Sequence, residues 1–176
     1  MNDAIQGSAT RSRADRDREV VQRTAELLTS SLSLEELFHA LCSLLARFVD
    51  ASVVFIALKD SDGARVAFLL QNGIVGRLEN RRVHPGSPTD IALRTGQPLL
   101  KRRAEDWTEE HFPLNLPGQE PQDDRASAIF VPLKFGAKII GVLSVQSLAP
   151  DAYDEEDVAL LQTCALYLSV RIHQAQ

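Results

Sequence analysis

The chain has 176 residues, 44% of them hydrophobic and 24% charged, with a formal net charge of -5 at pH 7. That length holds one domain and a polar tail, and the acidic balance, with no basic stripe, argues against nucleic acid as a partner. No uncharged run approaches the roughly 20 residues a membrane span needs, and the opening MNDAIQGSATRSRADRDRE lacks an apolar signal core, so the expected location is cytoplasmic and no membrane partner is expected.

Residues 1–16 are polar and interleave arginine with aspartate, a composition that buries too little apolar area to offset its ordering entropy. They are expected to be disordered, ahead of one domain over 17–176. From Val20 the apolar positions recur with helical period through Val21, Leu27, Leu28 and Leu32, and a second helical pattern runs from Leu34 to Val49. Ser33 and Glu36 form a capping box between them. SVVFIALKD and ARVAFLLQN, separated by DSDG, predict an antiparallel hairpin over 52–71, ended by Asn72 and Gly73. The stretch 73–87 is rich in glycine and proline, with a short strand possible at 79–83.

A two-turn helix follows in SPTDIALRTGQP. Ser87 suits its N-cap, Pro88 its first position, and Gly96 a left-handed close. LLKRR at 99–103 reads as a short strand, and 104–126 as a long irregular insertion containing three prolines. SAIFVPLKFGAKIIGVLSVQS at 127–147 is a second hairpin, with Pro132 where an N–H is dispensable and Gly141 at a bulge or close approach. The acidic DEED at 154–157 suits a helix start, with a helix running over 155–173. Its Val158, Leu161, Ala165, Leu168 and Ile172 form a heptad-like stripe, and Leu160, Cys164 and Tyr167 give it a second apolar face. That surplus predicts a homodimer packed through the first and last helices.

Strands bracketed by helices predict an α+β fold. A central antiparallel sheet of five to six strands carries the terminal helices on one face, and short helices and loops roof a pocket on the other. In the last strand Leu143 and Val145 alternate with Ser144 and Gln146, so if the apolar pair meets the helices the polar pair faces the pocket or solvent. Phe55 and Phe68 on the first two strands are further lining candidates, although core is the more frequent outcome for such residues. Trp107, together with Phe112, could line an aromatic slot or pin the insertion to the core. His84, with His111, could face the same cavity, and Arg125 at the roof's edge could pair with a carboxylate or phosphate or with a neighbouring aspartate.

No metal site is expected: the four histidines lack HxH or HExxH spacing, the two cysteines lack CxxC, and DEED lacks the glycine and spacing of a calcium loop. P-loop, GxSxG and GxGxxG patterns are absent.

Three segments resemble those of a GAF domain. They are SLSLEELFHALCSLLARFVDASVVFIALKD, then GSPTDIALRTGQPLL, then RASAIFVPLKFGAKIIGVLSVQSLAPDAYDEEDVALLQTCALYLSVRI. The resemblance covers residues 20–173 and implies a PAS-like sensory or regulatory fold. Members bind cyclic nucleotides, tetrapyrroles, haem or small metabolites, and some serve only as dimerisation units. The cyclic-nucleotide signature would fall on Gln146-Ser147, Tyr153 and Asp157-Val158, where only the aspartate matches. Covalent tetrapyrrole attachment and free methionine sulfoxide reduction use cysteines that would lie between 43 and 163, where this chain has none.

The resulting expectation is a regulatory module, not an enzyme, that binds an unidentified small molecule and signals through its terminal helices to an output domain or partner protein. A ligand-free dimerisation or structural signalling module is the first alternative, and an enzyme of the free methionine sulfoxide reductase type the second. No cofactor is assigned.

Overall fold

The computed structural model describes residues 2–108, 113–120 and 126–175, with side chains along the first helix from Arg13 onward. In chain order it contains α1 (Asn2–Leu28), α2 (Leu34–Leu45), β1 (Val53–Asp60), β2 (Gly63–Gln71), β3 (Ile74–Arg77), α3 (Pro88–Thr95), β4 (Leu99–Lys101), a 3-10 turn at Ala104–Asp106, β5 (Ser127–Phe135), β6 (Lys138–Ser147) and α4 (Glu155–Gln174). The six strands form one antiparallel sheet in the order β3-β2-β1-β6-β5-β4. The central pair β1 and β6 is distant in sequence.

Alternation along these strands builds two apolar layers. Val54, Ile56, Ile129, Val131, Leu143 and Val145 point to one face and pack on α2 and α4. Val53, Phe55, Ala128, Phe130 and Val142 point to the other. The α2 helix begins where Ser33 and Glu36 cap each other's backbone, and it buries Leu37, Phe38, Leu41 and Leu45 against the sheet. A cap of this kind stabilises a helix by about 1 kcal/mol.

The β1–β2 register slips between Ile56 and Ala57, leaving Ala67 unpaired on β2. This bulge reverses which face β2 residues take. Val66 and Leu69 therefore belong to the pocket layer, whereas Phe68 belongs to the helical layer.

The first hairpin ends at Asn72 and Gly73 as predicted, and there the chain makes a second turn. Both residues have positive φ, 52° and 74°, as a tight hairpin turn requires, and β3 returns antiparallel to β2. The strand considered at 79–83 reduces to a single bridge between Arg65 and Arg82. Pro132 sits beyond the end of β4, which stops opposite Phe130, so its missing N–H falls on an open edge. Gly141 lies against the Ala57 carbonyl of β1, where a Cβ would overlap that backbone oxygen.

Most of the polar N-terminal segment is included in α1, which lies outside α4. Val20 is fully buried against Leu160 and Cys164, and the Thr24 hydroxyl lies 3.6 Å from the Cys164 sulfur. Arg13 reaches Asp154 and Glu156 at 2.8 and 2.6 Å, and Arg16 reaches the buried Asp157 at 2.9 Å. The same acidic run caps α4: Asp154 accepts from the backbone of Glu156 and Asp157, and Asp157 accepts from Asp154. Most of both apolar faces of α4 is thus covered within the chain, with Tyr167 left half-buried. Leu161, Ala165, Leu168 and Ile172 lie in the sheet core with Val158 at its margin, and Leu160 and Cys164 lie under α1.

Among the described residues, no helix is long and apolar enough to cross a membrane.

Candidate functional site

The face of the sheet opposite the helices carries a cavity of about 100 Å³. Its floor is Phe55 from β1, Phe130 from β5 and Gln146 from β6. Register explains the grouping: Phe55 and Phe130 both pair with Ser144, and Gln146 is two residues further along the same strand face. The rings meet edge on, at 6.3 Å for Phe55 and Phe130 and 5.9 Å for Trp107 and Phe130. The Trp107 indole N–H donates to the Ala126 carbonyl at 3.2 Å, which fixes the ring as a wall.

A strap over 113–119 forms another wall, lined by Leu114. The buried Gln71 holds this strap with both ends of its amide. Its Nε2 donates to the Leu114 carbonyl at 3.0 Å, and its Oε1 accepts from the Leu116 N–H at 3.2 Å. Leu116 in turn packs on Gly76, where even a methyl group would sit 2.6 Å from its Cδ2. Arg81 donates to the Pro113 carbonyl at 2.8 Å.

The N-terminus of α3 opens on the third side through Ser87, Pro88 and Thr89. Ser87 caps that helix by accepting from the Asp90 N–H at 3.3 Å, and Gly96 closes it at φ 65°.

Charge around the cavity is one-sided. Arg81, Arg82 and His84 line it, and no carboxylate does so among the described residues. Arg82 is already paired with Asp60 at 2.7 and 2.8 Å, an interaction that holds the Asp60 carboxyl below its ordinary range and raises the guanidinium. At the floor, Gln146 is 3% exposed; its Nε2 donates to Ser144 Oγ at 3.1 Å, while its carbonyl Oε1 has no hydrogen-bond partner. A buried orphaned acceptor costs about 1–3 kcal/mol.

Of the candidates from sequence, Phe55, His84, Trp107 and Gln146 line this cavity together. Ser144 lies beneath it, fully buried as the acceptor for Gln146. Phe68 does not belong there: the bulge turns it to the helical face, where it stacks on Phe38 at 5.5 Å. Arg125, His111 and Phe112 lie outside the described residues.

Sequence reading missed Phe130, Arg81 and Thr89. Strict alternation back from Pro132 would have given Phe130, and the N-cap at Ser87 marks Thr89, but Arg81 carries no local signal. Both cysteines are buried on the helical side of the sheet. Burial pushes the Cys42 thiol up to about 12.

The architecture is thus an antiparallel sheet with helices on one face and a roofed, partly polar cavity on the other. The chain belongs to the GAF domain family, whose model matches residues 31–173. Among solved structures it is similar to a GAF domain of a phosphoenolpyruvate-protein phosphotransferase from Coxiella burnetii, at 14% identity and TM-score 0.72 over 92% of this chain and 95% of that one. It is also similar to the free methionine-R-sulfoxide reductase of Neisseria meningitidis, solved with its substrate, at 20% identity and TM-score 0.71 over 90% and 89%. A type II free methionine-R-sulfoxide reductase from Thermoplasma acidophilum matches at 14% identity and TM-score 0.64 over 86% and 96%. No curated protein sequence matches the chain.

The reductases correct one expectation. Enzymes share this fold, so reading the chain as a non-enzyme is not supported.

Proposed function

We propose that this GAF domain is a cytoplasmic regulatory module that binds a small molecule in the sheet-face cavity and reports its occupancy through α4 and α1. The observation that carries the reading is the aromatic-floored cavity on the sheet face away from the helices, with Ser87, Thr89 and Gln146 in its lining.

A route from cavity to helices supports the second half. Trp107 follows the 3-10 turn, whose Asp106 carboxylate accepts from the Arg102 and Arg103 backbone N–H groups. The side chain of Arg102 pairs with Glu155 at 2.7 Å and that of Arg103 with Asp151 at 2.7 Å. The start of α4 is therefore tied to the cavity wall on one side and to Arg13 and Arg16 of α1 on the other.

Self-association remains part of the proposal, but on a different surface. With the core stripe occupied internally, the outer face of α4 around Leu166, 60% exposed, is what a second copy or output partner would cover. A Leu166→Glu change should then lower the native mass of any assembly without altering the melting of the monomer.

The test is a melting screen against small metabolites, followed by hydrogen exchange with any hit. Saturation at about 100 times the dissociation constant adds roughly 2.7 kcal/mol and several degrees. Exchange should slow at the cavity and change over residues 13–24 and 151–160. Stabilisation without any change in α1 or α4 would leave a binding domain and remove the signalling role.

A further inference from the structure

We propose that α1 is an electrostatic latch that leaves α4 as a unit while the rest of the domain stays folded, and so switches the Leu160–Cys164 face of α4 between covered and open. The proposal goes beyond the ligand reading and does not depend on it, because no ligand enters its test.

The first support is how little apolar surface holds α1. From Arg13 to Leu28 only Val20 and Thr24 are buried, whereas α2 buries six of its twelve residues. Val20 meets Leu160 and Cys164, with Val21 and Phe48 at the margin, and Leu27 touches the edge of the sheet core. Charge supplies the rest of the attachment. Arg13 bridges Asp154 and Glu156, Arg16 reaches Asp157, and Glu19 meets Arg47, just beyond α2, at 3.4 Å. The side chains of Arg13, Glu19, Arg47 and Glu156 are each at least 44% exposed, so their pairs are weak singly and screened by salt.

The second is where polar atoms go unsatisfied. Three buried side-chain polar atoms lack a partner among the described residues, and two of them flank α1. Arg16 Nη2 lies at the clasp, on the guanidinium whose Nη1 reaches Asp157. Arg171 Nε lies at the other end, on the side chain whose Nη2 donates to the Leu32 carbonyl at 2.6 Å in the link between α1 and α2. Each is a donor that water satisfies once α1 moves away, so docking carries a polar cost that release removes.

The third is that the cap of α4 does not depend on α1. Asp154 accepts from the Glu156 and Asp157 N–H groups of its own helix, and Leu161, Leu168 and Ile172 stay in the sheet core. Helix α4 therefore survives the loss of α1. A released α1 loses the packing from which helices draw most of their stability, and it frays.

Two cysteines make the opening readable. Cys164 is 0% exposed beneath α1, its sulfur 3.6 Å from the Thr24 hydroxyl, and Cys42 of α2 is buried in the sheet core. The experiment treats the full chain with iodoacetamide, a neutral reagent, and follows each cysteine separately by mass spectrometry. Each rate is divided by that of the same cysteine in the urea-unfolded chain. Cys164 is expected to react at least about tenfold faster than Cys42, which waits for global unfolding. Raising salt from about 0.01 to 1 M should speed Cys164 about fivefold and leave Cys42 unchanged.

Arg13→Gln, an exposed change that leaves the core intact, should speed Cys164 about threefold, and Arg16→Gln, which strands the buried Asp157, about tenfold, again without effect on Cys42. Amide hydrogen exchange over residues 16–28 should share the salt dependence of Cys164, with α4 slower. One common rate for both cysteines, moved together by salt and by the variants, would mean that α1 leaves only when the domain unfolds, and would overturn the proposal. Fast labelling of Cys164 that ignores salt and Arg13→Gln would overturn it too, because charge would not be what holds α1. Exchange in α4 as fast as in α1 would place the opening in α4 itself, with the same result.

Discussion

The orphaned carbonyl of Gln146 makes a stability prediction that needs no ligand. In the wild-type protein the floor of the cavity holds one neutral hydrogen bond, from Gln146 to Ser144, and one unpaired acceptor. The bond contributes about 1 kcal/mol, and the orphan costs about 1–3 kcal/mol. Ser144→Ala removes the bond and leaves both ends of a buried amide unpaired, so it should destabilise by about 2 kcal/mol. Adding Gln146→Leu to that variant removes every polar group involved. It discards an orphan worth about 2 kcal/mol and a bond worth about 1, for a net gain of about 1 kcal/mol over wild type.

For a chain of this size each kcal/mol moves the melting temperature by about 2–4 °C. Ser144→Ala should therefore melt about 4–8 °C low and the double variant about 2–4 °C high. Gln146→Leu alone, which frees the Ser144 hydroxyl, should fall near wild type. Thermal melts and urea titrations of all four proteins close the cycle, with an expected coupling of about 2–3 kcal/mol. A double variant less stable than wild type by more than about 1 kcal/mol would refute the reasoning, because it would mean that the Gln146 carbonyl is already paired in solution.

Gly141→Ala drives a methyl group into the Ala57 carbonyl in the central strand pair and should cost about 3 kcal/mol in urea unfolding. Gly136→Ala, in an open turn at φ 59°, should cost only about 1 kcal/mol of backbone strain; equal losses would show that β1 and β6 are not so closely apposed. Cys42, buried with its thiol pushed up to about 12, should resist alkylation until the protein unfolds, and rapid labelling at neutral pH would contradict its placement. Asp106, held low by the Arg102 and Arg103 N–H groups, and Glu155, held low by the Arg102 side chain, bind fewer protons folded than unfolded near pH 4. Their contribution is complete above the ordinary carboxylate range and lost as pH falls through the depressed folded values, so melting should drop with acid below about pH 4, and salt should reduce the effect.

Local chemistry made much of the architecture legible. The Ser33–Glu36 box, the Ser87 cap with Pro88, the left-handed Gly96 and the acidic start of α4 are contacts within three or four residues, and each forms as the sequence implies. With Leu143 and Val145 on the helices, alternation leaves Gln146 on the opposite face, because a strand has period two.

For Phe68 the sequence left cavity lining and core both open, and a single unpaired residue at Ala67 decides for the helical core; bulges are set by partner strands rather than by the strand itself. The Asn72–Gly73 turn did carry a hairpin signal, yet β3 is short and weakly apolar, and only its pairing with β2 makes it a strand.

The apolar pattern of α4 specified how much surface must be covered but not what covers it. The fold assigns one face to the sheet and the other to α1, because α1 returns across α4 and joins its acidic cap through Arg13 and Arg16. The cavity belongs to the same category. Phe55, Thr89, Trp107, Phe130 and Gln146 come from five separate parts of the chain, and only the packed sheet, with α3 and the 113–119 strap folded over it, brings them to one space.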